Sequence, residues 1–191
     1  MQAIGIDMSK DTFHAALSDT HVMKFANTHE GIEDFMTTIE ECGFPMTDTT
    51  IGVEATGVYH LLFAMTLTDH SWEVVVINPL ESHRMITAGL RTVKTDRLDS
   101  LKIRTMVAIG KGYRFTDTTD VIALKALVVE RQSLVEMRKM TKQRMEVHRL
   151  KEMATGVMLH DSFTAVLAVL GEEITHIEHH MGEYATETQQ L

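Results

Sequence analysis

The sequence is poor in cysteine, proline and aromatic residues, and each shortage excludes something. Cys42 is the only cysteine among 191 residues, so an intrachain disulfide is impossible and a reducing cytoplasm fits best. Two prolines and 11 glycines argue against a long disordered linker. The aromatic content of 6% argues against a protein that reads nucleobases on stacking platforms.

Several recognisable segments are also missing. The chain runs from Gln2 directly into a strand, without the basic and apolar regions of a signal peptide, and no apolar run approaches membrane-spanning length. Neither a Walker-type phosphate loop nor a cysteine-based zinc pattern occurs. These absences predict a soluble, cytoplasmic protein with no membrane partner.

Charge is distributed unevenly along the chain. The net charge is −9, yet residues 84–151 carry 16 of the 18 lysines and arginines against seven acids. Residues 1–83 have a net charge of −11, and residues 152–191, which contain no lysine or arginine, have a net charge of −7. A basic middle segment attracts a phosphate backbone, although basic helices are often only solvated.

The hydrophobic pattern predicts an α/β protein with a mixed five-stranded sheet flanked by helices. The order β-β-β-α-β-α-β-α favours an antiparallel meander followed by parallel strands that are joined through helices. The predicted strands are residues 3–7, 12–17, 22–26, 50–54 and 72–77. A short helix is expected around residues 82–89. The second helix is expected to turn four side chains inward: Leu61, Leu62, Met65 and Leu67.

Two long helices are predicted to follow. Residues 121–154 form a helix that is strongly basic in its second half and is ended by Gly156. The last helix, residues 162–186, has a seven-residue apolar repeat, which requires a partner helix. That partner is either the basic helix, folded back, or the same helix of another copy. We expect a helical coiled-coil hairpin that also forms a homo-oligomer.

Four acids form the candidate site. Asp96 and Asp99 open a helix at a spacing that points both the same way, and a bound cation would relieve their repulsion. Asp7 and Glu54 each end a short apolar strand, at the edge where ligands of α/β sheets bind. Such carboxylates suit a hard cation such as Mg²⁺. Each acid alone is an ordinary turn or capping residue, so their joint placement carries the prediction.

Four sequence blocks resemble the N-terminal domain of the DEDD insertion-sequence transposases, the family that also contains the pilin-gene invertases and the bridge-RNA-guided recombinases. The blocks occur in the family's order within residues 1–115, and the following helices are similar to the family's coiled-coil segment. The blocks are Gly5-Ile6-Asp7-Met8-Ser9-Lys10-Asp11, Glu54-Ala55-Thr56-Gly57-Val58-Tyr59-His60, Val75-Val76-Ile77-Asn78-Pro79 and Lys94-Thr95-Asp96-Arg97-Leu98-Asp99.

The resemblance implies a ribonuclease-H-like (RuvC-like) fold that cleaves and transfers DNA strands with Mg²⁺, for which Mn²⁺ can substitute. It divides the chain into a catalytic domain, residues 1–115, and a helical dimerisation segment, residues 116–191. DNA is then the substrate, and the target is expected to be recognised either through the shape of its backbone or through a guide RNA. The family's catalytic and metal-binding positions carry over to Asp7, Glu54, Asp96 and Asp99.

Members of the family continue into a second domain with a serine that is regarded as the nucleophile. The sequence stops at Leu191, about where that domain would begin, so no serine is carried over. Ser9 and Ser100 are expected to be turn and helix residues. We therefore do not expect this chain alone to complete strand exchange.

Basic residues near the acids and on the long helix are predicted to contact phosphates. They are Arg91, Lys94, Arg97, Arg104, Arg138 and Lys142. His60 and His83, near the predicted site, could act on a proton or a phosphate, but such histidines are more often ordinary surface residues. His176, His179 and His180 have a spacing that suggests a metal, but on an amphipathic helix such histidines mostly face solvent.

Two other functions stay open. In a catalytically silent nucleic-acid-binding and dimerisation module, the acids would be structural and the basic helices would hold DNA or RNA. An actin-like or sugar-kinase-like phosphotransferase also begins with Gly-Ile-Asp on its first strand, but the missing second glycine-rich phosphate loop argues against it. Metal-dependent cleavage of branched or nicked DNA would separate the recombinase from the silent module.

Overall fold

The computed structural model divides into two compact units, Met1–Thr116 and Asp117–Leu191. The structure describes four stretches of the chain: residues 2–55, 57–82, 96–157 and 162–188. The predicted elements and residues that fall outside these stretches are most of the short helix around 82–89, together with His83, Arg91 and Lys94. Within the four stretches, no helix is both long enough and apolar enough to cross a membrane.

The first unit is built on one mixed sheet of six strands. They are β1 (Gln2–Met8), β2 (Thr12–Ala16), β3 (Val22–Ala26), β4 (Thr49–Glu54), β5 (Glu73–Ile77) and β6 (Tyr113–Arg114). The spatial order is β3-β2-β1-β4-β5-β6, with β1, β4 and β5 parallel and the other pairings antiparallel. The predicted α/β, ribonuclease-H-like class is confirmed. The sheet has one strand more than the predicted five, because the two residues of β6 pair with β5.

Three helices of this unit flank the sheet: α1 (His29–Glu41), α2 (His60–Asp69) and α3 (Asp96–Ala108). The first two pack on one face around a cluster of phenylalanine rings whose centroids lie 5.0 to 5.6 Å apart. Pairs of this spacing add stability beyond their buried area. The cluster consists of Phe13, Phe25, Phe35 and Phe63.

The buried side of α2 differs from the prediction. Three of the four side chains predicted to point inward are only half-buried: Leu61, Leu62 and Met65. Leu67 is buried as predicted, together with His60, Phe63 and Ala64. The helix is apolar almost all round, so hydrophobic periodicity cannot distinguish its inner side.

Helix α3 covers the opposite face of the sheet and crosses its strands. A Cβ added to Gly5 of β1 would overlap the backbone of Ser100 and Arg104, and one added to Gly52 of β4 would overlap Val107. The two glycines are register partners on neighbouring parallel strands. Glycine at both positions therefore allows the helix to approach the sheet closely.

The second unit is an antiparallel pair of long helices, which confirms the predicted helical hairpin. The helices are α4 (Thr119–Thr155) and α5 (Phe163–Thr188). Arg131 and Glu178 form an ion pair at 2.6 Å near one end, and the ring of His148 lies 5.1 Å from that of Phe163 near the other. Gly156 ends α4 in the left-handed conformation, with φ of 65°.

Candidate active site

Two of the four predicted acids lie at the carboxyl ends of neighbouring parallel strands. Ile6 of β1 and Val53 of β4 are paired, and Asp7 and Glu54 directly follow them. Because side chains alternate along a strand, both acids share the face of the two close-approach glycines, which is the face that α3 covers. The half-buried carboxylates of β1 and β4 therefore lie side by side at one edge of the sheet.

Asp96, the first residue of α3, lies near the same edge of the sheet. Oδ2 of Asp96 lies 3.9 Å from Nδ1 of His14 on β2, and His14 is the register partner of Asp7. Antiparallel partners project from the same face of a sheet. The side chain of Asp96 is 71% exposed, whereas that of His14 is 21% exposed. The structure thus brings Asp7, Glu54 and Asp96 to one edge of one face, with Asp96 open to solvent.

Asp99 already has a cationic partner. Nζ of Lys102 donates a hydrogen bond to Oδ1 of Asp99 at 2.6 Å, and the Asp99 side chain is only 15% exposed. The ammonium offsets part of the charge of the two acids in the first turn of α3. The sequence interpretation missed Lys102, although an acid and a lysine three residues apart on a helix are a recognised pairing signal.

Asn27, directly after β3, joins the two turns that follow the acid-bearing strands. Its Nδ2 lies 3.2 Å from the carbonyl oxygen of Ser9 and 3.3 Å from that of Lys10, both in the turn after β1. The same nitrogen lies 3.2 Å from the carbonyl oxygen of Tyr59, which precedes α2. One amide group thus links both turns. His60, predicted to be near the site, begins α2 and is buried.

The four carboxylates suit a hard divalent cation, because Mg²⁺ and Mn²⁺ prefer oxygen ligands. Within the described stretches, no three histidine, cysteine, aspartate or glutamate side chains are placed so that they could hold a metal ion together. Asp7, Glu54 and Asp96 thus share a face and an edge of the sheet without forming a complete coordination shell among the described residues. An ion bound there would take further ligands from water and phosphate oxygens, which is usual for Mg²⁺.

Two basic side chains that were not predicted from the sequence, those of His14 and Lys24, lie beside Asp7 on the neighbouring strands β2 and β3. Lys24 is the register partner of His14, so Lys24, His14 and Asp7 face the α3 side on three neighbouring strands. Lys24 is exposed and is one of only two lysines in residues 1–83. The alternation along β2 and β3 was the available signal, but it assigns a face only once the register of the strands is known.

The predicted phosphate contacts lie in different surroundings. Arg97 is exposed on the first turn of α3, with Nη2 3.3 Å from a carbonyl oxygen between β2 and β3. Arg104 donates to a carbonyl oxygen of β1 at 3.0 Å and to Asp19 at 2.5 Å, at the end of β1 opposite the acids. Two further residues lie one turn apart on α4 in the second unit: Arg138 and Lys142.

An antiparallel meander that leads into parallel strands, with helices on both faces, defines a protein of the ribonuclease-H-like fold class. The model of the DEDD transposase family of the IS110 type, described as Transposase, matches residues 4–153. The match covers most of the chain, and the chain belongs to this family. Membership supports a role in DNA recombination, and proteins of this family generally depend on a divalent metal.

Two curated relatives are similar to part of the chain. They are the pilin gene-inverting proteins of Moraxella lacunata and Moraxella bovis, each 30% identical over 102 residues. The aligned region covers 51% of this chain and 31% of each relative. The chain therefore corresponds to about a third of the length of these relatives.

Proposed function

We propose that this chain is the metal-dependent catalytic part of a transposase or site-specific DNA recombinase, which cleaves and transfers DNA strands. The observation that carries the proposal is the 3.9 Å contact between Asp96 and His14, because His14 pairs with Asp7. This contact brings the start of α3 to the strand ends that bear Asp7 and Glu54.

Asp7, Glu54, Asp96 and Asp99 would hold the Mg²⁺, and Mn²⁺ would substitute for it. When bound, the metal would activate the attacking oxygen and stabilise charge on the phosphate. The chain's own residues supply the positions: sheet pairing fixes Asp7 and Glu54, and close packing of α3 on the two glycines fixes Asp96 and Asp99. Without an ion, Lys102 pairs with Asp99 and limits the repulsion between the two acids of the first turn, and a bound ion would compete with Lys102 for Asp99.

DNA would lie along the acid edge, with its phosphates bound by basic side chains on either side. Lys24 and His14 lie on one side of Asp7 in the sheet, and Arg97 lies next to Asp96 on α3. Of the phosphate contacts expected from the sequence, this edge would use Arg91, Lys94 and Arg97. Three others would contact DNA away from the acid edge, because Arg104 lies at the opposite end of β1 and the other two belong to the second unit: Arg104, Arg138 and Lys142. Such contacts fix the position of a duplex and carry no sequence information.

The partners beyond DNA follow from composition and from the second unit. With 6% aromatic residues, the chain has few stacking platforms for bases, so sequence recognition would come from a guide RNA. The helical hairpin exposes many apolar side chains on α4, including Val129 and Met153, which suits a homo-oligomer.

A second candidate is the catalytically silent module that binds nucleic acid and dimerises. Two observations favour it: no three ligand side chains are gathered in the described part of the chain, and Asp99 is already paired with Lys102. In that case the acids would stabilise the sheet edge and the first turn of α3, and the basic residues would do the binding.

The two candidates differ in their response to Mn²⁺. Branched DNA should be nicked, or bound more tightly, when Mn²⁺ is added, and Asp96→Asn and Glu54→Gln should remove that response while leaving metal-free DNA binding in place. Gel shifts and denaturing gels measure the two effects. Equal DNA binding with and without Mn²⁺, and no nicking, would favour the silent module. Nicking, rather than complete strand exchange, is measured because the alignment covers only 31% of the length of each curated relative.

A further inference from the structure

Three histidines and a glutamate gather on one side of α5. Nε2 of His176 and Nε2 of His180 lie 3.1 Å apart. Nδ1 of His180 lies 3.0 Å from Oε2 of Glu183, and Nδ1 of His179 lies 3.6 Å from Oε1 of the same carboxylate. The side chains of His180 and Glu183 are about half exposed, so solutes can reach them.

The separation of the two Nε2 atoms matches that of two nitrogens bound to one metal ion. At metal–nitrogen distances of about 2.0 to 2.1 Å, two imidazole nitrogens stand about 2.9 Å apart at a right angle and about 3.4 Å apart at a tetrahedral angle. The observed 3.1 Å between His176 and His180 falls inside this interval. The two rings are one helical turn apart, so the backbone of α5 already holds them together.

Glu183 favours the tautomer of His180 in which Nε2 carries no proton and can bind a metal. A carboxylate accepts hydrogen bonds, so Nδ1 of His180 carries the proton and Nε2 keeps its lone pair. A carboxylate behind a histidine in this way orients the ring and raises its basicity toward a metal. Without an ion, Nε2–H of His176 donates to Nε2 of His180. When an ion binds, that proton moves to Nδ1 of His176 through solvent, and the net charge of the pair is unchanged.

We propose that His176 and His180 bind one divalent transition-metal ion of the class that prefers imidazole, such as Zn²⁺ or Ni²⁺, through their Nε2 atoms. Glu183 orients His180 without touching the ion, and water fills the remaining positions. The ligand type separates this site from the carboxylates of the first unit, which suit hard ions such as Mg²⁺. These histidines face solvent, as their spacing indicated, and the facing nitrogens together with the carboxylate behind one of them are what favour a metal site there.

The arrangement predicts a metal site on α5 with two protein ligands. Among the residues that the structure describes, no third ligand completes the shell, so binding should be weaker than at a closed four-ligand zinc site. The ion would join two turns of α5 and stabilise the second unit by mass action, by an amount that grows with the logarithm of the ion concentration. The proposal does not depend on the recombinase function.

Calorimetric titration of the full chain with Zn²⁺, and separately with Ni²⁺, tests the proposal. The unchanged chain should bind one equivalent that the double variant His176→Gln/His180→Gln lacks, and His179→Gln, the matched control, should keep it. Glu183→Gln should weaken binding about tenfold without abolishing it. Because all four side chains are on the surface of the helix, circular dichroism should show unchanged helix content in every variant.

Two results would overturn the assignment. In the first, the double variant binds Zn²⁺ with the same stoichiometry and affinity as the unchanged chain, which would place any bound ion on other histidines. In the second, the unchanged chain binds neither Zn²⁺ nor Ni²⁺, which would leave His176 and His180 as a hydrogen-bonded pair only. Mg²⁺ should give no heat that depends on His176 or His180, because hard ions prefer oxygen.

Discussion

Asp96 and His14 lie 3.9 Å apart although they come from opposite ends of the first unit's sequence. The contact exists because α3 crosses the sheet and begins over β2, where His14 pairs with Asp7. It brings the start of α3 to the strands that bear Asp7 and Glu54, and we expect His14 to position Asp96. The distance suits an ion pair when the imidazole is protonated and is longer than a direct hydrogen bond.

His14→Gln should lower the affinity of the chain for Mn²⁺, measured with branched DNA present, by about tenfold, because residues that orient metal ligands typically contribute 10- to 100-fold. His21→Gln, in the exposed turn between β2 and β3, is the matched control and should have no effect. Equal Mn²⁺ affinities of the two variants would show that His14 does not position Asp96.

Gly5→Ala should destabilise the first unit by about 1 to 3 kcal/mol and displace α3, because the added methyl group overlaps the backbone of Ser100 and Arg104. Gly171→Ala is the control, since its added methyl group meets nothing within 4 Å and alanine favours the helix by about 0.8 to 1 kcal/mol. Thermal unfolding should therefore shift in opposite directions in the two variants. An unchanged midpoint for Gly5→Ala would contradict the close approach of α3.

Lys102→Met should raise the Mn²⁺ affinity about fivefold, because removal of the ammonium at 2.6 Å leaves Asp99 free to attract an ion, an effect of roughly 1 kcal/mol. Lys125→Met removes an ion pair of equal length with Asp117 in the second unit and should leave metal binding unchanged. A weaker Mn²⁺ affinity in Lys102→Met would mean that Lys102 supports the site rather than competing with the ion.

Lys24→Met should weaken DNA binding and reduce the slope of log affinity against log salt concentration by about 1, as expected for the loss of one phosphate contact. Lys24→Arg should preserve the slope because it keeps the charge. Fluorescence anisotropy at several salt concentrations measures both variants. If the salt slope of Lys24→Met equals that of the unchanged chain, Lys24 does not contact a phosphate, and the proposed path of DNA from β3 to the acids is wrong.

Local pattern was sufficient to predict most elements of the fold. The first five strands were predicted from alternation and apolar runs, and the meander followed by parallel strands was predicted from the order of the elements along the chain. The end of α4 at Gly156 followed from glycine's tolerance of the left-handed conformation. These features depend on residues close together in the chain, so the sequence alone contains the signal.

The features that were missed depend on contacts between distant residues. Strand register decides that His14 and Lys24 join Asp7, and no local pattern specifies it. The buried side of α2 is set by its packing in the phenylalanine cluster, where Phe63 contacts Phe13 of β2, because the helix itself has little polar contrast. The two residues of β6 are too short to show any periodicity. The four acids were predicted from the resemblance and from their positions at element ends, and their joint role stays a prediction.

The central claim is that the four acids form one metal site. Calorimetric titration with Mn²⁺, in the presence of branched DNA, tests it on the unchanged chain and on Asp96→Asn and Glu54→Gln. Asp34→Asn, at an exposed position of α1, is the control. We predict that the unchanged chain and the control bind Mn²⁺ and that both site variants lose it while staying folded. Equal Mn²⁺ binding by all four proteins, or binding by none, would contradict the claim and leave the acids as structural residues.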